Sequence, residues 1–200
     1  MKLTLLLIVV AYLMLASPVT GSAQKRPVVL DFDKTADGKP LDVSLTGRLV
    51  ANGYLAAADI TLSDVTTGTQ VVIFDLRRFY EGQAIKAASG NNGLTQVPSN
   101  DPVSFTLNFK TPLQSVLFTR PLLLAGPTGV TFPEWKATAL DAKGQELDTA
   151  GEGSSGYYSD APAKTFTLKG PGIKAVRFDS NNHHFAAFNA AVLDDLTLVQ

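Results

Sequence analysis

Four aspartates stand in two short apolar segments far apart in the 200-residue sequence. VVLDFD (28–33) carries Asp31 and Asp33, and VLDDLTLVQ (192–200) carries Asp194 and Asp195. Carboxylates brought together repel one another unless a cation, a proton or an arginine neutralises them. Calcium suits such a group, because it takes about six to eight oxygens, backbone carbonyls included, and tolerates irregular geometry. The stretch DFDKTADGKPLD spaces Asp31, Asp33, Thr35 and Asp42 like the oxygen ligands of an EF-hand loop. Ala36, however, stands where that loop requires Gly, and the residues before it read as a strand rather than a helix. The EF-hand is rejected, and the oxygen-rich loop is kept as half of a calcium site.

A second chemistry is sugar binding, which asks for aromatic faces beside polar groups. Trp135, the only tryptophan, and the pair Tyr157 and Tyr158 are the candidates, with Arg77, Arg78, Asn182 and His184 as polar companions. Trp135 alternates with Ala137 and Ala139, which favours the core. Tyr157 and Tyr158 sit in a glycine-rich loop, where packing and recognition are equally open. The Asn-Asn-His-His stretch (181–184) holds both histidines, but adjacent strand residues point to opposite faces and the chain has no cysteine. It reads as a polar loop leading into FAAF.

Catalytic patterns are weak. GEGSSG (151–156) lacks the G-x-S-x-G spacing of a nucleophile elbow, and no phosphate-cradling Gly-Lys loop occurs. Glu134, Glu146 and Glu152 are available for glycoside hydrolysis, but nothing in the sequence pairs any two of them.

The elements that must position these residues are strands. Val71–Tyr80 places Val72, Phe74 and Leu76 on one face and puts Asp75 within pairing reach of Arg77. SFTLNF does the same with Phe105, Leu107 and Phe109, TFTLKG with Phe166 and Leu168, and AVRFDS with Val176 and Phe178. In the first segment Val28, Leu30 and Phe32 share a face; in the last, Asp194, Leu196 and Leu198 do, with Asp195 opposite. This period-2 pattern predicts antiparallel sheets with one buried and one wet face. Turns are expected at Asp37-Gly38, Asn52-Gly53, Thr67-Gly68 and GPG (170–172), and DAKG (141–144) predicts a tight hairpin. SGNNGLTQVPSND (89–101) and AGEGSSGYYSDAP (150–162) read as loops, and GQAIKAAS (82–89) as a short helix. Many short strands between Gly/Pro turns predict one all-β domain, an antiparallel β-sandwich. First and last strands of such a sandwich tend to be neighbours, which would bring the four aspartates to one edge.

The N-terminal stretch is expected to leave the fold. Lys2 precedes an apolar run from Leu3 to Ala16, too short to span a bilayer comfortably, and Gly21-Ser22-Ala23 offers small residues for signal cleavage. Residues 1–23 are therefore read as a signal peptide and 24–200 as the domain, secreted or periplasmic, with no membrane span after cleavage. The 177 residues left carry 16 basic and 18 acidic side chains, which gives no electrostatic reason to expect nucleic acid as partner. Without cysteine, stability must come from the core, hydrogen bonds and a bound cation.

These segments resemble secreted bacterial jelly-roll domains of the galactose-binding-like type, including carbohydrate-binding modules and the ectodomains of PEP-CTERM proteins. The resemblance rests on Phe32-Asp33, on Tyr54 followed by DITL (59–62), on Phe105–Pro112, on Asp141 to Gly144, and on IKAVRF (173–178) leading to Asp194-Asp195-Leu196. Asp59 departs from it by standing where those domains usually have Gly, and their C-terminal Pro-Glu-Pro tail is missing. The resemblance implies that Asp33 and Asp194 match structural calcium ligands best, with Asp31 and Asp195 beside them, and that the ion ties the chain ends without doing chemistry. The function it implies is a non-catalytic binding or adhesion module for a glycan or cell-surface polymer. A protein-interaction domain without a small ligand, or a glycoside or ester hydrolase, are the alternatives.

Overall fold

The computed structural model describes residues 26–35, 37–43, 47–78, 85–97, 102–125, 130–132, 134–181 and 192–200. In chain order its elements are β1 (Val28–Leu30), β2 (Arg48–Val50), α1 (Asn52–Ala56), β3 (Ile60–Ser63), β4 (Gln70–Asp75), β5 (Ile85–Lys86), β6 (Asn92–Val97) and β7 (Val103–Arg120). They continue with β8 (Leu122–Leu123), β9 (Val130–Phe132), β10 (Glu134–Leu140), β11 (Glu146–Glu152), β12 (Ser155–Tyr157), β13 (Lys164–Asn181) and β14 (Asp194–Val199). Every strand pairing described is antiparallel. The large sheet runs β1-β14-β7-β13-β10-β11, with β3 on the free flank of β7, and a small sheet runs β2-β4-β6. The all-β antiparallel sandwich expected from the sequence is the fold observed.

The core lies between these sheets. Phe105, Leu107 and Phe109 of β7, Val176 and Phe178 of β13, and Leu196 and Leu198 of β14 meet Val71 and Ile73 of β4 and Leu94 of β6. The alternation in the sequence puts the β7, β13 and β14 residues there, whereas β4 turns Val71 and Ile73 into this core rather than the expected Val72, Phe74 and Leu76 face. Each fully buried side chain of this size contributes roughly 1.5–3 kcal/mol. Phe118 is the hinge of the aromatic packing, touching Trp135, Phe166 and Phe178 with ring centroids 5.7, 5.7 and 5.2 Å apart. A satellite cluster of Leu76, Ile85, Leu123, Ala161 and Val192, joined by Phe132 and Tyr157, fills a second apolar site.

The structure departs from the sequence reading in five further places. Ile85–Lys86 is strand β5, so the part of the expected 82–89 helix that is described is not helical, whereas Asn52-Gly53 opens α1 instead of a turn. Within the expected 89–101 loop, β6 is a strand buried at Asn92–Gln96. The Asn92 amide donates to the Phe32 carbonyl and the Gln96 amide to Thr69 Oγ1 and the Ser104 carbonyl, while Gln96 Oε1 is buried without a partner among the described residues. Within the expected 150–162 loop, β11 continues to Glu152 and β12 follows. GPG (170–172) is no turn: β13 runs through it with register shifts on either side of Ile173 and a Gly172 φ of 79°, a bulge that bends one continuous strand. Other turn signals hold. Gly38, Gly68 and Gly144 take positive φ, and the DAKG hairpin is closed by Asp141, whose carboxylate accepts the Lys143 and Gln145 N–H groups. Asp59, in the place where glycine is usual, also adopts a left-handed φ of 59°.

Candidate functional site

The two segments that carry the four aspartates adjoin, but their carboxylates do not gather at one centre among the described residues. β1 pairs with β14 in the register Val28↔Leu198 to Leu30↔Leu196, so the two acidic segments are neighbours. What lies between their carboxylates is a turn of backbone. Asp194, with no solvent exposure, accepts the Ala88 and Ser89 N–H groups on Oδ2 at 2.7 and 3.0 Å and the Asp195 N–H on Oδ1 at 2.8 Å. Asp195 accepts the Ser89 hydroxyl at 2.7 Å, and Asp33 Oδ1 accepts the Asn91 N–H at 2.9 Å. Gly90, at the centre of the turn, has a φ of 52°, and a Cβ there would overlap the Asp33 carboxylate. Burial pushes the Asp194 carboxyl up to about 6, against the N–H groups of Ser89 and Ala88, with the Asp195 charge adding to the rise. Burial also raises Asp33, helped by the charges of Asp31 and Asp195 and opposed by the N–H groups of Asn91 and Asn92.

A cation would fit this edge at Asp33 rather than Asp194. Asp33 Oδ2 is buried and has no hydrogen-bond partner among the described residues, whereas both Asp194 oxygens are engaged by N–H groups. Asp31 is occupied in part by the Asp33 and Lys34 N–H groups and by the Lys34 ammonium at 3.3 Å. Among the described residues no three acidic or histidine side chains gather closely enough to hold a metal by themselves. A calcium ion here would need backbone carbonyls.

A second feature was not anticipated as a site. Because Phe105, Leu107 and Phe109 turn inward, Ser104, Thr106, Asn108 and Lys110 of β7 line the outer face of the large sheet. Cross-strand register sets Ser63, Thr106, Arg177, Thr138 and Thr149 in one row across that face, and Thr61, Asn108, Ala175 and Leu140 in the next. A cleft of about 660 Å³ covers the second row, between the α1–β3 corner at Ala56 and Asp59 and the DAKG hairpin at Asp141 and Gly144. A shallower depression of about 390 Å³, lined by Ser104, Lys136, Arg177 and Asp179, adjoins it along β7 and β13. Thr106 lies on the floor at 3% exposure, and its hydroxyl has no hydrogen-bond partner among the described residues. A buried hydroxyl without a partner costs about 1–3 kcal/mol, so this floor position favours a ligand that brings one. The carboxylates bordering the cleft are occupied: Asp59 pairs with Lys110 at 3.1 Å, Asp64 accepts the Ser63 hydroxyl at 3.0 Å, and Asp141 holds its own hairpin.

The residues nominated for sugar contact are dispersed. Trp135 belongs to the core, 8% exposed, with its indole N–H donated to Glu152 at 3.2 Å, and it also borders the shallower depression. Tyr157 is half-buried against Phe132 in the satellite cluster, while the adjacent Tyr158 is 86% exposed. Arg77 makes the pair its spacing suggested, a bidentate contact with the buried Asp75 at 2.8 and 2.9 Å that holds this carboxyl below its usual range. Arg78 packs on Gly47 and lies 3.9 Å from Asp75. Asn182, His183 and His184 fall outside the described residues, as does the 1–23 segment. No described helix is long and apolar enough to cross a membrane.

No protein-family model matches the chain, and no curated protein matches it in sequence. Among solved structures it is similar to the CBM22-1 xylan-binding domain of Paenibacillus barcinonensis Xyn10C, at 10% identity over 86% of this chain and 94% of that one, with a TM-score of 0.41. It is similar also to the K2 cleaved adhesin domain of Lys-gingipain, at 15% identity over 71% of this chain and 89% of that one, TM-score 0.46. A third is the arabinose-bound α-L-arabinofuranosidase MgGH51, at 14% identity over 72% of this chain, TM-score 0.40; the match spans 23% of that enzyme. With each of these TM-scores below 0.5, the likenesses carry no argument about what this chain binds.

Proposed function

We propose that this chain is an exported, non-catalytic module that binds a glycan in the groove on the outer face of its large sheet. The observation that supports this reading is the groove floor: an open cleft lined by hydroxyl, amide and ion-paired groups, with the buried Thr106 hydroxyl lacking a partner among the described residues. A polyhydroxylated ligand both donates and accepts, so it matches such a lining better than an apolar one would. Tyr158, exposed on another part of the surface, is the second candidate contact, with Tyr157, Arg77, Arg78, Asn182 and His184 around it in the sequence-based scheme. A polysaccharide pull-down separates the two places. Asn108→Ala should weaken retention about tenfold, equal to about 1.4 kcal/mol, while Tyr157→Ala/Tyr158→Ala leaves it intact. The opposite pattern would move the site to the tyrosines, and equal binding by both variants would remove both.

We propose further that calcium occupies the edge where the chain ends meet, held at Asp33 with Asp31, Asp195 and backbone oxygens and with Asp194 next to it. The orphaned Asp33 oxygen is what supports this. An ion bound only by the folded state stabilises it by about 2.7 kcal/mol at a hundredfold excess over its dissociation constant. Melting temperature should therefore climb with added calcium and drop with a chelator, and Asp33→Asn should abolish the response. Identical melts with calcium and with chelator would refute the ion.

A further inference from the structure

Resting on the glycan-groove reading, we infer that the groove selects an uncharged polysaccharide and takes an extended stretch of it along β7. The argument is one of charge bookkeeping at the groove. Lys110 is paired with Asp59 at 3.1 Å, Arg177 with Asp179 at 2.8 Å, and Lys136 with Glu146 at 3.5 Å. Lys174, the remaining cation of the lining, donates to the Lys110 carbonyl at 2.8 Å. Asp64 and Asp141 add negative charge with no cation beside them in these contacts. A carboxylated or sulfated chain would thus meet more fixed negative than positive charge, and beyond Lys174 would have to break existing ion pairs to gain a counter-charge. The groups left to read a ligand are neutral: Thr61, Ser104, Thr106, Asn108 and Ser180. Length follows from strand geometry. Outward residues of one strand repeat at about 6.8 Å, so Ser104 to Lys110 spans about 20 Å, more than one sugar ring can fill.

Affinity electrophoresis in gels containing xylan, arabinan or a β-glucan, against gels containing polygalacturonate or alginate, tests this at low and high salt. At least one neutral polymer should retard the protein, the polyuronides should not, and the retardation should persist at high salt because no ion pair is formed. Thr106→Val and Asn108→Ala, both checked for an unchanged melting temperature, should each weaken the retardation several-fold. Longer oligosaccharides should compete better than monosaccharides. Salt-sensitive retardation by polyuronides, lost in Lys174→Ala, would overturn the neutral-ligand inference while leaving a glycan-binding groove in place. Competition by a monosaccharide as strong as by its oligomers would overturn the extended mode. Retardation by no polymer at all, with the protein folded, would overturn the glycan reading itself.

Discussion

Replacing Asp194 by alanine should destabilise the domain by about 2–4 kcal/mol, because three N–H groups around a fully buried carboxylate, those of Ala88, Ser89 and Asp195, would lose their acceptor at once. The carboxyl also gives stability a pH dependence of definite sign. Its folded value of about 6 lies above the ordinary 3.8, so the folded chain holds this proton more tightly than the unfolded one. The associated stability is complete below the unfolded value and is lost as pH rises through the folded one, an effect on the order of 2–3 kcal/mol between about pH 4 and pH 6. Asp33 acts in the same direction, and Asp75 in the opposite one: lowered by the Arg77 contact, it contributes stability that fades as the medium becomes acidic. Denaturant melts of the parent and Asp194→Asn across this range isolate the Asp194 part. The parent should lose stability on going from pH 4 to pH 7 relative to the variant, and parallel curves would show that Asp194 ionises normally.

The second large effect lies at the other acid–base pair of the interior. Arg120, 8% exposed, makes a two-point contact with Glu152 at 2.9 and 3.2 Å and gives Nη1 to the carbonyls of Pro121 and Pro162. The Trp135 indole N–H shares Glu152 Oε2, and Trp135 and Glu152 are also register partners in the β10–β11 ladder. Glu152→Ala strands a buried guanidinium and an indole N–H, a loss of about 3–5 kcal/mol. In a domain of this size each kcal/mol shifts the melting temperature by about 2–4 °C, so the fall should exceed about 6 °C. Pairing Arg120→Met with Glu152→Leu should restore most of it, since apolar groups of similar volume replace a buried ion pair at little cost. A loss below about 1 kcal/mol for Glu152→Ala would mean that water reaches the guanidinium.

Much of this was visible in the sequence, and the reason is periodicity. The inward residues of β7 and β13 alternate on either side of one irregular stretch, those of β14 throughout, and the Asp141 hairpin and the Asp75–Arg77 pair are short-range events fixed within a few residues. That the ends adjoin followed from sandwich geometry. What the end carboxylates grip did not, because residues 88–91 contribute mainly main-chain N–H groups, which every residue type but proline carries. The buried strand β6 was hidden for a related reason. NGLTQV looks like a polar loop until Phe32, Thr69 and Ser104 arrive from elsewhere to accept from its side-chain NH2 groups. The supposed break at GPG lies within a strand long enough to absorb it as a bulge. The groove escaped notice because its residues are the wet faces of four strands, and only register makes Ser63, Thr106 and Arg177 neighbours.

The place of β14 constrains how the molecule is made. It is an interior strand, flanked by β1 on one side and β7 on the other, although it comes last of the three in the sequence. A nascent chain emerging from the ribosome can join β7 to β13 early, but β1 has its docking edge only after residues 194–199 have been translated. The large sheet therefore closes only once β14 is available, and until then the flank of β7 and the apolar residues of β1 remain open to wrong partners. Such an order ties the first strand made to the last of the three, so the edge of this sheet is completed by the most distant contact in its sequence.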